Sequence, residues 1–93
     1  RSGLIEASAA LAGCDIALCA LLGRGKVDEA EELGKKVIPL AKRLARLRIE
    51  LRQGRGAGIV AYCDALGKRS AQVLTEIRAR ITSIDGKAHK TFG

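Results

Sequence analysis

Apolar residues recur along this chain at intervals of three and four, and nowhere alternate in the period of two that a half-buried strand requires. The first run, residues 4 to 22, reads LIEASAALAGCDIALCALL and is polar only at Glu6, Ser8 and Asp15. This pattern predicts a helix that is apolar on nearly every side. Its length invites a bilayer span, because about 20 apolar residues reach across the hydrocarbon. Two acids, many alanines, Gly13 and the lack of a flanking aromatic belt favour a buried helix instead. Two further helices from one chain hardly cover such a circumference. The expectation is therefore a homodimer and no membrane.

Gly23, Arg24 and Gly25 stop the first helix, since glycine readily takes the left-handed conformation after a helix end. The second runs from about residue 26 to 53. Asp28, Glu29, Glu31 and Glu32 crowd its first turns and Arg48 and Arg52 its last, as the helix dipole favours. Val27, Ala30, Leu33, Val37, Leu40, Ala41, Leu44, Ala45, Leu47 and Leu51 project as one broad apolar stripe. Pro39 removes the hydrogen bond to the Lys35 carbonyl. Neither Val37 nor Ile38 can cap a new helix, so a kink near Pro39 is expected rather than a break. A second glycine hinge spans residues 53 to 58. The third helix covers about 57 to 84, with Ile59, Cys63, Leu66, Ser70, Val73, Ile77, Ile81 and Ile84 forming a seam. Asp85 and Gly86 are expected to end it.

The fold expected is all-α: three long antiparallel helices in a bundle completed by homodimerisation. Residues 1 to 84 form one domain and 85 to 93 a flexible basic tail. Composition agrees. Only Tyr62 and Phe92 are aromatic, so the core must be built from Ala, Leu, Ile and Val, which suits close helix packing. Met is absent throughout, which is expected of a processed or excised chain.

Candidate chemistry is sparse. Cys14, Cys19 and Cys63 lie within apolar helical patterns and read as reduced, buried thiols in a cytoplasmic setting. Cys14 and Cys19 point about 140° apart on a helix, and His89 is the single histidine, so neither a metal site nor a cofactor is expected. Nucleophilic catalysis needs a base oriented against Ser or Cys by a third group, and no such set is visible; no enzyme is expected. The glycine-rich hinge follows a helix, whereas phosphate-cradling loops follow a strand. The GKVDEA segment resembles the turn and second helix of a tetratricopeptide repeat over residues 21 to 33. It occurs once, while such repeats stack in threes or more, so it supports a protein-binding alternative without identifying a family.

Charge changes the picture most. The chain carries a formal +7, and residues 35 to 55 alone also sum to +7. Such concentration is what an anion-binding surface requires. Lys35, Lys42 and Arg46 fall within about 40° on the helical projection, opposite the leucine stripe, in a row about 16 Å long. Lys36 and Arg43 widen it, Arg55 adds a cation from the hinge, and Arg69 and Arg80 offer a second row on the third helix. The expected function is non-catalytic binding of double-stranded RNA or DNA through its phosphates, with little sequence preference. The scarcity of aromatics disfavours base stacking and hence single-strand recognition. The alternative is a helical interaction module, an oligomerisation, adaptor or chaperone-like protein, whose cations meet an acidic partner. Arg48 and Arg52 project toward the apolar side and suit ion pairs with a partner subunit.

Overall fold

A computed structural model describes residues 2–56 and 58–92, and the side chains of 3–56 and 58–85. It contains three helices, α1 (Ser2–Gly23), α2 (Val27–Arg52) and α3 (Ile59–Phe92), and no strand among the described residues. They pack as an elongated bundle, 57 × 19 × 14 Å along its principal axes.

Each helix gives one face to a single core. From α1 come Ala7, Leu11, Cys14, Ala17 and Leu21; from α2, Ala30, Leu33, Val37, Leu40, Leu44 and Leu47; from α3, Ile59, Cys63, Leu66, Val73 and Ile77. The α3 seam is as its spacing predicts, with Ile81 and Ile84 half-buried at its far end. Ser70 lies fully buried within it because its hydroxyl donates to the Leu66 carbonyl at 2.8 Å, four residues back, and leaves no polar atom stranded.

The α2 stripe is narrower than expected. Val27 is 57% exposed, and Ala41 and Ala45 also face solvent. With only two neighbours in the chain, α2 covers the centre of its apolar arc and leaves one flank bare. The helix passes through Pro39 without interruption.

α1 and α3 meet through small residues. A side chain added at Gly67 would lie 3.3 Å from the Ala7 backbone nitrogen, so the two backbones nearly touch there. The Cys14 thiol donates to the Ser70 carbonyl at 3.5 Å. Leu74 closes over Gly13, and Asp64 lies against Gly3.

Both turns follow helix ends at a glycine of positive φ, Gly25 (74°) and Gly54 (76°), as the left-handed terminal position demands. Arg24 does more than link helices. Its Nη1 donates to the Ala20 carbonyl at 3.1 Å, and its Nε and Nη2 reach the Asp85 carboxylate at 2.8 and 3.2 Å. Asp85 is thus a clamp on the α1–α2 turn and not a terminator of α3, which continues to Phe92. A glycine inside a helix costs only about 1 kcal/mol relative to alanine, so Gly86 does not stop it. The side chains of 86–93, His89 among them, lie outside the described residues, while the backbone of 86–92, within the expected tail, is helical.

Two expectations for the thiols divide. Cys14 and Cys63 are buried, but Cys19 is exposed; all three are free. Burial first, then the nearby Asp15 charge, push the Cys14 thiol up from its ordinary value, with Arg78 pulling the other way.

Candidate functional site

The surface feature with most chemistry is a groove of about 780 Å³ between α2 and α3. Its floor is apolar, made of Pro39, Leu40, Ala65, Leu66 and Val73. Its walls carry Lys35, Lys36 and Arg43 from α2 and Arg69 from α3, with Tyr62, Gln72 and Glu76 between them. Helical spacing explains the second wall. Tyr62, Arg69 and Glu76 are seven residues apart, so they line one flank of α3 beside the buried seam.

Four of the eight sequence-predicted cations therefore converge: Lys35, Lys36, Arg43 and Arg69. Lys42 and Arg46 are exposed on α2 but do not line the groove; by projection they lie next to Lys35, on the outer shoulder of its α2 wall. Arg55 is exposed in the α2–α3 turn. Arg80 is exposed on α3, on the flank that carries Arg69 but beyond the groove's lining.

The convergent cations are not equivalent. Lys36 Nζ lies 2.8 Å from a Glu76 oxygen, and both side chains are about half exposed, so this pair spends one positive charge on bridging α2 to α3. Such a pair is worth roughly 0–1 kcal/mol once solvent screening is counted. The Arg43 guanidinium stands over the Tyr62 ring at 5.5 Å from its centroid, a cation–π contact that orients it without neutralising it. Lys35 and Arg69 make no ion pair among the described residues. The groove thus keeps three uncompensated charges, Lys35, Arg43 and Arg69.

Sequence reasoning missed Tyr62, which is 57% exposed and belongs to the site. The signal was available, since the residue lies at a flank position in register with Arg69. One of the scarce aromatics therefore faces solvent, with the Arg43 guanidinium over one face of its ring. Arg48 Nη2 donates to Ser8 Oγ at 2.6 Å, tying α2 to α1 within the chain.

Among the described residues no group of three or more His, Cys, Asp or Glu side chains could hold a metal ion. One helix, residues Gly3–Gly23, is long and apolar enough to cross a membrane by length and composition, with a mean hydropathy of 1.8 and 28% of its residues buried. No protein-family model, curated protein or solved structure matches the chain.

Proposed function

We propose that this chain is a non-catalytic binder of duplex nucleic acid that grips phosphates with little regard to sequence. The observation that carries this reading is the convergence of Lys35, Lys36, Arg43 and Arg69, from two helices, on one open groove beside Lys42 and Arg46. Cations on two walls can contact phosphates on both sides of a ridge, which a single row cannot do. Arg43 is already held in place by Tyr62, so less freedom is lost when it meets an anion. Arg55 and Arg80 extend the positive field along either end. A cytoplasmic location and reduced thiols accompany this proposal.

Chain direction belongs to the same reading. Gly3 meets Asp64, Ala7 meets Gly67 and Arg24 meets Asp85, while Lys36 meets Glu76 and Arg48 meets Ser8. These pairs support an up-down-up order in which successive helices run antiparallel.

The apolar floor of Leu40, Leu66 and Val73 favours a second reading, an acidic amphipathic helix seated in the groove. Titration of the protein into unrelated RNA and DNA duplexes at several salt concentrations separates the two. Phosphate binding predicts a linear fall of log K with log salt, with a slope of roughly −0.9 per neutralised B-DNA phosphate. Lys42→Glu with Arg46→Glu is expected to abolish binding at unchanged helicity. If no duplex binds at about 50 mM salt, where phosphate contacts are strongest, the nucleic-acid reading fails and the acidic helix remains.

A further inference from the structure

Half of α1 is apolar surface with nothing of its own chain against it. Ile5 is 69% and Ile16 73% exposed, and Ala9, Ala12 and Cys19 also face solvent. Their spacing of four, three, four and three places them in one stripe, opposite the buried Ala7, Leu11, Cys14 and Leu21. The order Ile5, Ala9, Ala12, Ile16 reads the same in both directions about a point between the two alanines. A helix with such a stripe matches itself when one copy is turned end for end. Isoleucine then meets isoleucine at both ends, and alanine meets alanine at the centre, where small side chains let the axes approach to about 8 Å.

We propose that this stripe is a self-association surface: a second copy of the chain packs its α1 antiparallel on the first, about a two-fold axis near residues 9 to 12. The same patch serves both copies, as an isologous dimer requires.

Charge supports this pairing. Asp15 lies on the flank of the stripe nearer α2, as does Ser8, which accepts the Arg48 hydrogen bond. Arg52 and Arg48 line a shallow cleft with Leu4 and Leu51 between α1 and α2. A two-fold axis keeps like flanks together and reverses their direction. The level of Ser8 in one copy becomes the level of residue 13 in the other, and the level of Leu4 that of residue 17. Arg48 and Arg52 of the second copy therefore arrive on either side of Asp15, which has no ion-pair partner in its own chain among the described residues. Glu6 sits on the other flank, away from the Asp15 of the second copy.

The area is sufficient for a reversible dimer. About 20 helical residues give a strip of about 30 by 12 Å on each copy, or about 700 Å² in all. Arg48 and Arg52 on α2, with the exposed Ala41 and Ala45 on the same flank, raise this toward the roughly 1,000–1,200 Å² at the lower end of specific interfaces. A bilayer is the competing occupant of an apolar helix face. Glu6 and Asp15 on the flanks of α1 disfavour it.

Sedimentation equilibrium of the full chain without nucleic acid reads the proposal directly, and its failure leaves the groove reading untouched. A monomer–dimer equilibrium is expected in the micromolar range. Ile16→Glu should weaken it by about a hundredfold or more at unchanged helicity, because the residue is exposed in the monomer. Asp15→Arg and Arg52→Glu should each weaken it about tenfold, and the double variant should recover. In a Cys19→Ser background, Ala12→Cys should cross-link two copies through a short thiol-reactive linker. Native Cys19 should not, since antiparallel pairing sets the two thiols about 25 Å apart along the axis. A monomer at about 100 µM, efficient Cys19–Cys19 cross-linking, or α1-dependent sedimentation with neutral phosphatidylcholine vesicles would each overturn the seam.

Discussion

Helix α3 meets its two neighbours in opposite ways. Toward α1 it offers Gly67 and Ser70, and the backbones come close enough that Gly67 admits no side chain without displacing Ala7. Toward α2 it offers Tyr62, Arg69 and Glu76, long side chains that stand up around Leu66 and Val73 and hold a trench open. The first contact is dry and close; the second is wet, charged and accessible. Small residues at a helix crossing put the helix to structural use on that side. Long polar residues on the next flank leave room for a ligand, and α3 does both within one turn.

Substitutions can break this contrast, and the largest effect is expected deepest in the seam. Cys63→Asp puts an unpaired charge at a site that is 1% exposed, and should unfold the chain at neutral pH in a thermal or urea melt. Cys63→Ala should be mild, leaving a small cavity in place of a thiol that behaves as a small hydrophobe. Equal tolerance of the two would show that α3 is not packed on this face.

Gly67→Leu should cost about 1–3 kcal/mol by forcing α1 and α3 apart. Ala65→Leu, at an exposed position in the open groove, should change stability by less than about 0.5 kcal/mol. A urea midpoint that moves for the first and not the second sharpens the contrast; similar shifts would erase it.

In the trench, Arg43→Ala with Arg69→Ala should leave the melt unchanged and reduce the salt slope of duplex binding by about two units. Lys36→Gln should remove one bridge between α2 and α3, a loss below about 1 kcal/mol that disappears in about 1 M salt.

The smallest effect belongs to Asp85. Its hydrogen bonds and ion pair with Arg24 hold the carboxyl below its ordinary value, so the contribution is present above the unfolded pKa of about 3.9 and is lost as pH falls through the lower folded value. Both side chains are exposed to solvent, so screening keeps the effect small. Asp85→Asn should therefore lower the plateau above about pH 5 slightly and remove this step from the acid limb, so that the variant and the parent converge at low pH.

Much of the scaffold was readable from spacing alone. The α3 seam from Ile59 to Ile77 was visible because three- and four-residue intervals fix one face of a helix, and the glycine turns because their neighbours were strongly periodic. Two things were not. The outer edges of the α2 stripe, Val27, Ala41 and Ala45, were assigned to the core because periodicity marks the apolar arc but not how much of it the neighbours cover. The end of α3 was misplaced because Asp85 and Gly86 resemble a stop signal, while the ion pair to Arg24 depends on two residues far apart in sequence. The site was half legible for the same reason. A projection of α2 groups Lys35, Lys42 and Arg46, but which α3 side chains face them depends on how the helices sit against each other. Arg69 was named as part of a separate row, and Tyr62 was passed over.

The distribution of thiols has a consequence for how opening of this protein can be watched. Cys19 lies in solvent and should react with a thiol reagent at once, marking zero time. Cys14 and Cys63 sit on different helices, both buried, and Cys14 is kept protonated by its surroundings. Neither can react until its seam parts, so their labelling rates clock the local opening of α1 and α3 in the way slow amide exchange does. One shared rate would mean that the two helices separate as a unit, and two rates would mean that one frays first. The chain thus carries a native stopwatch at its tightest contact, with its starting mark built in.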